Sequence, residues 1–308
     1  MKDIKELQDF WLAHSTDDKM LCTIVHKRGS GYRGVGAKKI ILKNGESCGY
    51  LSGGCLEGDI IRNALERWND APFIEELSTM SEEDRLLGYQ TGCAGVIDIL
   101  FEPLPKDTQN MPLYLPFGKH ATSGAVALSL LPNTLGQRKT LDVYEEMEDH
   151  FVEKWIKPFH LFVIGCGPNA YPFAELAPPL GWEVTFLDYR RGNILPETRN
   201  VASKIVSMGD IATHVEEGSH SAVIVMTHNY EADLNIIGQL NGRNFGYVGS
   251  VGPRERFDQI CKDSKTLFGV PIDNDWASNV HVPAGLKKAR SPENIALSIL
   301  AEIKFGSE

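Results

Sequence analysis

Leu161-Phe-Val-Ile164 is an apolar run that opens directly onto Gly165-Cys-Gly-Pro-Asn-Ala170. A helical stripe over 170–176 follows, then a second apolar run, Glu183-Val-Thr-Phe-Leu187, which stops at Asp188. Strand, glycine turn, helix and strand in that order read as a βαβ unit with parallel strands. Apolar runs at 221–226 and 245–248 and a helical stripe at 292–304 continue the alternation and predict a Rossmann-like doubly wound parallel sheet. The turn fits G-x-G-x-x-A: Gly165 permits the tight bend, Gly167 lets backbone approach a pyrophosphate, and Ala170 lets helix and strand close up. Asp188, at the end of the second strand, is placed to accept from ribose hydroxyls. Pro168 and Pro172 each remove an amide that a phosphate would use, so a turn kept for packing alone is the alternative.

In such a sheet, ligands gather at the carboxyl edge. Thr227-His228-Asn229 follows one strand there, which makes His228 the candidate acid or base of this half, or else a strand cap. Gly249-Ser-Val-Gly-Pro-Arg-Glu-Arg256 follows the next and brings Arg254 and Arg256 to the same edge, as anion contacts or as solvation of a helix start.

The first half reads differently. Apolar positions at Leu7, Phe10 and Trp11 mark an opening helix over 3–14, and 21–26 is a strand feeding the glycine-rich 29–36. Strands at 37–42 and 47–51 flank Asn44-Gly45, a two-residue hairpin signal. Ser52-Gly-Gly-Cys-Leu-Glu57 then turns into a helix carrying Ile60, Ile61, Ala64, Leu65 and Trp68, and strands are expected at 73–77 and 95–101, the latter closed by Glu102-Pro103. The prediction is an N-terminal α+β domain over 1–157, including a connector at 104–157 that holds strands near 125–130 and 139–144. The Rossmann-like domain would occupy 158–308.

Cys55 sits in a glycine turn at a helix start, where unpaired amides lower a thiol pKa, and Cys93 sits in a second glycine turn, Gly92-Cys-Ala-Gly95. Either could equally be a small buried hydrophobe. The six cysteines show no zinc spacing, no hydrolase elbow or Walker sequence is present, and no long apolar run or export signal is visible, so a cytoplasmic chain is expected. The net charge of −10, acidic in both halves, argues against nucleic acid and anionic membrane as partners. Against that background, 19–45 holds Lys19, Lys27, Arg28, Arg33, Lys38, Lys39 and Lys43 with no acid at all. It reads as a local phosphate cradle.

Taken in order, these motifs resemble the XdhC/CoxI family, the xanthine dehydrogenase accessory factors. The resemblance rests on the basic glycine loop ending in Gly36-Ala37, on Ser52-Gly-Gly-Cys-Leu-Glu-Gly58, on Gly92-Cys-Ala-Gly-Val-Ile-Asp-Ile-Leu-Phe-Glu-Pro103, on Gly165-Cys-Gly-Pro with Asp188-Tyr-Arg190, on Met226-Thr-His-Asn, on Tyr247-Val-Gly-Ser-Val-Gly-Pro-Arg254, and on the closing helix from Ser291. It covers nearly the whole chain except the connector. It implies a chaperone that binds molybdenum cofactor (molybdopterin), protects it during sulfuration and delivers it to a xanthine dehydrogenase-type apoenzyme, with dimerisation and a cysteine-desulfurase partner expected. Carried over by motif are Ser52, Gly53, Gly54, Cys55, Glu57 and Cys93 in the first domain and Gly165, Gly167, Asp188, His228 and Arg254 in the second; Arg33 joins them from the basic loop. Two departures from the family pattern are Pro168, where many members have histidine, and Lys287 with Arg290, where most have an acid; the latter pair are candidates for a phosphate contact. The competing expectation is an NAD(P)-dependent oxidoreductase with His228 as proton donor; if the chain is catalytic at all, His228 and Cys55 are the candidates. A third reading has the chain named a xanthine dehydrogenase only by association, since it lacks the cysteine-rich spacing of iron–sulfur domains.

Overall fold

The computed structural model describes residues 2–78, 95–106, 124–154, 158–193, 201–269, 271–287 and 289–306. It divides into two compact units, Asp3–Lys157 and Pro158–Glu308, the latter joined by Met1–Lys2. Each has its own core.

In the first unit, α1 (Lys2–Ala13) precedes β1 (Lys19–Gly29), β2 (Lys38–Leu42) and β3 (Ser47–Cys48); α2 (Glu57–Glu66), β4 (Phe73–Ser78) and β5 (Gly95–Leu104) follow. The strands form one antiparallel sheet in the order β3-β2-β1-β5-β4. β1 is buried from Lys19 to Val25 because both of its faces are covered. Met20, Cys22 and Ile24 meet Ile60 and Ala64 of α2, while Leu21 meets Leu7 and Trp11 of α1. Val25 packs instead against Leu128 of a second sheet, built from β6 (Ala125–Ser129), β7 (Arg138–Leu141) and β8 (His150–Lys154) in the order β7-β6-β8.

β5 runs on through Pro103, paired with Met20, to Leu104. Proline is tolerated because β4 pairs no further than Phe101, so beyond that point β5 is an edge. The connector supplies a three-stranded sheet whose last strand, β8, lies in the charged stretch where no strand was expected: its side chains are only partly buried, so no apolar alternation marks it. And β3 is two residues long, not five, because the chain turns away at Gly49 toward the Ser52 loop.

The second unit carries β9 (His160–Ile164), β10 (Glu183–Asp188), β11 (Ala202–Ile205), β12 (Gly218–Val225) and β13 (Phe245–Ser250), all parallel, in the order β11-β10-β9-β12-β13. Strand order reverses between β9 and β12, which opens a crevice at their carboxyl ends. α3 (Tyr171–Leu176) and α7 (Pro292–Phe305) share one core with Leu161, Val163 and Ile224. On the other face α4 (Tyr230–Leu240) packs with Phe162 and Ile164, and α5 (Arg254–Phe268) and α6 (Asn274–Ser278) complete the layer. The doubly wound α/β fold is as the sequence predicts. α3 is short because Pro168 makes its entry a 3-10 turn and Pro178 ends it in another. No described helix is long and apolar enough to cross a membrane.

Candidate functional site

In the first unit the glycine-rich segments converge at one end of the main sheet. β1 pairs Gly29 with Gly95, and a methyl group on Gly95 would fall 2.1 Å from the Ser30 carbonyl oxygen, so only glycine allows this approach. A methyl on Gly53 would lie 3.6 Å from Cβ and Cγ of Tyr32, which places the Ser52 loop beside 29–36. A bulge in β1 between Ile24 and His26 re-aims the last residues of the strand into that loop. Cys93 lies outside the described residues.

Ser52 and Glu57 build the loop between them. Glu57 Oε1 accepts from the amides of Leu51 (2.9 Å) and Ser52 (2.8 Å) and from Ser52 Oγ (3.0 Å). Ser52 Oγ in turn accepts from the amides of Gly54 (3.1 Å) and Leu56 (3.2 Å). The other Glu57 oxygen pairs at 2.9 Å with the ammonium of Lys39, which is buried. Burial alone would push this carboxyl up, but Lys39 and the loop amides more than offset it and hold it below the ordinary carboxylate value. What this frame presents outward is Gly53, Gly54 and Cys55, all exposed, with nothing within 4 Å of the side-chain position on Gly54.

The basic window is mostly spent on scaffolding. Lys19 donates to the Asp17 carbonyl and lies over the Trp11 ring; Arg28 pairs with Glu76; Lys38 donates to the Gly36 carbonyl (3.1 Å) and to Glu153 (2.6 Å); Lys39 also donates to the Gly49 carbonyl (3.1 Å). A cradle with seven available charges is therefore not what the window makes. Lys27 is different: its ammonium donates to the carbonyls of Gly31 (2.9 Å) and Arg33 (3.2 Å), and among the described residues no carboxylate pairs with it. Arg33 is half-buried and Lys43 exposed. Lys27 and Lys39 could not be separated from the other cations by sequence, because only the fold shows which lysines turn inward.

In the second unit Gly165 has φ +108°, and a methyl there would lie 2.7 Å from the Met226 carbonyl oxygen, so β9 and β12 meet closely at the mouth of the crevice. Asp188 is fully buried. It accepts from the Cys166 amide (2.8 Å), from the Arg190 amide (2.9 Å), Nε (3.0 Å) and Nη2 (2.9 Å), and from Asn193 Nδ2 (3.2 Å). A carboxylate offers about four lone-pair sites, so five donors leave none for a ribose hydroxyl. Burial raises this carboxyl, yet Arg190 and the amides outweigh it and the net direction is down. The Cys166 thiol, by contrast, is pushed up to about 12 by burial and by the Asp188 charge, which makes it a packing residue.

Gly167 is backed by nothing within 4 Å. His228 is exposed, takes φ +57°, and its Nε2 lies 3.3 Å from Asn169 Nδ2, so the two loops at the switch point touch there. Beneath it Thr227 Oγ1 donates to the buried Asp233 (2.5 Å), whose other oxygen accepts from Arg256 Nη2 (2.6 Å). Arg254 turns outward to Asp258 (3.0 Å) along α5. Of the two arginines, then, Arg256 joins the crevice loops and Arg254 does not; helical spacing from Pro253 was the available signal. Among the described residues no group of three or more His, Cys, Asp or Glu could hold a metal ion.

Residues 12–76 match the family described as "XdhC and CoxI family", and 161–303 match the "XdhC Rossmann domain". The chain is 26% identical to a Bacillus subtilis protein described as a probable xanthine dehydrogenase subunit, over 95% of this chain and 94% of that one. It is 23% identical to the Escherichia coli molybdenum cofactor insertion chaperone PaoD, over 92% and 82%. A solved Bacillus halodurans structure described as a xanthine dehydrogenase shares the fold, with a TM-score of 0.80, 24% identity, and coverage of 100% of this chain and 97% of that one. The chain belongs to the XdhC and CoxI family, with the family's Rossmann domain at its carboxyl-terminal end.

Proposed function

We propose that this protein carries molybdenum cofactor as cargo, shields it and hands it to a xanthine dehydrogenase-type enzyme, acting as an accessory factor without a catalytic step of its own. The observation that carries the reading is the approach of the Ser52 loop and of Gly95 to the 29–36 loop, with an exposed thiol on the first of them: Cys55 stands beside the open space over Gly54, on a loop whose internal hydrogen bonds are already satisfied by Ser52 and Glu57. A thiolate is a soft ligand suited to a metal–sulfur centre, and the Lys27 ammonium inside the adjoining loop supplies positive charge for a phosphate. Cys93 and Arg33 belong to the same proposal as further contacts; Lys287 and Arg290, on the second unit, are proposed separately as a phosphate contact of that unit. A cysteine desulfurase as the source of cofactor sulfur, a homodimer as the working form and the cytoplasm as its place also belong to the cargo proposal. The names of the relatives, a cofactor insertion chaperone and a probable xanthine dehydrogenase subunit, support this reading.

The reading of an NAD(P)-dependent oxidoreductase would require Asp188 to exchange Arg190 and Asn193 for a ribose, at the cost of the bonds that orient the carboxylate accepting from the Cys166 amide. Anaerobic purification from a cofactor-producing host, followed by assay of molybdenum and oxidised pterin, tests the proposal. Both are expected with the wild type and reduced with Cys55→Ser or Cys93→Ser. A wild-type protein that carries neither would remove the proposed function.

A further inference from the structure

We propose that Tyr32 is the stacking platform for the fused heteroaromatic ring of the pterin, a role that rests on the cargo-carrying reading above. Tyr32 is 73% exposed at the tip of the 29–36 loop. Its placement is enforced from behind. The Lys27 ammonium takes the carbonyls of Gly31 and Arg33, the residues on either side of Tyr32, and so fixes the backbone on both flanks of the ring-bearing position. Lys27 Cε would lie 3.1 Å from a side chain on Gly31, so the lysine stem fills the inside of the loop. With the lysine inside, the tyrosine stands outside. Its Cβ and Cγ lie 3.6 Å from the position that a side chain on Gly53 would take, and beside Gly53 in the chain lie the open space over Gly54 and the exposed Cys55.

The loop thus combines an exposed aromatic ring with an ammonium whose partners among the described residues are carbonyls. The ligand class that matches both is a flat heteroaromatic carrying a phosphate. Stacking of a heteroaromatic base on an aromatic side chain is worth on the order of 10- to 100-fold in affinity when the side chain is cut to alanine. Tyr50, 66% exposed, provides a comparison inside the same unit: the Lys39 ammonium already lies 5.6 Å from its ring centroid. Truncating Tyr50 is therefore expected to matter less.

The test is a fluorescence titration of the full chain with a metal-free pterin bearing a phosphate monoester on its side chain. Wild type is expected to bind; Tyr32→Ala to bind about 10- to 100-fold more weakly; Tyr32→Phe and Tyr32→Trp to bind as wild type does; and Tyr50→Ala to stay within about threefold. Unchanged melting temperatures would show that the exposed substitutions leave the fold intact. Equal affinity of Tyr32→Ala and wild type overturns the proposal. So does a Tyr32→Phe loss as large as that of Tyr32→Ala, which would assign the effect to the hydroxyl. Wild type that carries the molybdenum-loaded cofactor but ignores the metal-free pterin also overturns it, as does a Tyr32→Ala loss confined to binding of the recipient apoenzyme. Failure of the parent reading is seen separately, in the molybdenum and pterin content of the wild type, with no tyrosine variant involved.

Discussion

Asp188 shows how far a single side chain can depart from the role its position suggests. Strand end, spacing from Gly165 and charge all point to a ribose contact, and each of those inferences was legible in the sequence. Illegible was the folding back of Arg190, because a residue two positions later on a turn can point either way. Cutting Asp188 to alanine leaves the buried Cys166 amide unpaired and frees the partly exposed Arg190 guanidinium to water, and is expected to destabilise the second unit by about 1–3 kcal/mol, measured by urea unfolding. The pH dependence has a definite sign. The folded carboxyl lies below its ordinary value of 3.8, so its contribution is fully present above that value and is lost as pH falls below it. Asp188→Asn should therefore flatten the acid limb of the stability curve below pH 3.8 and leave the neutral and alkaline limbs parallel to wild type.

At the level of elements, the start of α2 and the loop before it form one construction. Glu57 is the first residue of the helix, and its carboxylate reaches back to the amides of Leu51 and Ser52 while its second oxygen holds Lys39 from β2. Glu57→Gln keeps an acceptor but loses the charge that answers Lys39. It is expected to raise amide hydrogen exchange at Leu51, Ser52 and Gly54 while the β1 amides stay protected. Equal exchange at all of these positions would show that the loop does not depend on the pair. The elements themselves were largely predictable: α2 from Ile60 and Ala64, β1 from its apolar run, the hairpin from Asn44-Gly45. β8 was not, because His150, Phe151 and Val152 are only partly buried and the strand is recognised through its pairing with β6, which lies far away in the sequence. The same holds for the lysines of the basic window, whose direction depends on carbonyls brought near by the fold.

For the whole molecule, two cores in two compact units predict separable unfolding. Gly165→Ala is the probe, since a methyl 2.7 Å from the Met226 carbonyl at φ +108° strains only the second unit. A scanning calorimetry trace is expected to show the transition of that unit moved down by several degrees with the other in place; a single transition that shifts as a whole would show the units to be one cooperative body. The net charge argues only against nucleic acid and anionic membrane, and the Lys27 ammonium in the glycine loop, which no carboxylate among the described residues pairs with, bears more directly on the cargo than the sum of charges around it. Anyone wishing to convert this scaffold into a nicotinamide sensor would meet the same logic at the other crevice. Arg190 and Asn193 would have to be removed before a ribose could reach Asp188, yet they are also what keeps that carboxylate oriented toward the Cys166 amide. The engineer would be dismantling the hinge pin in order to free the keyhole.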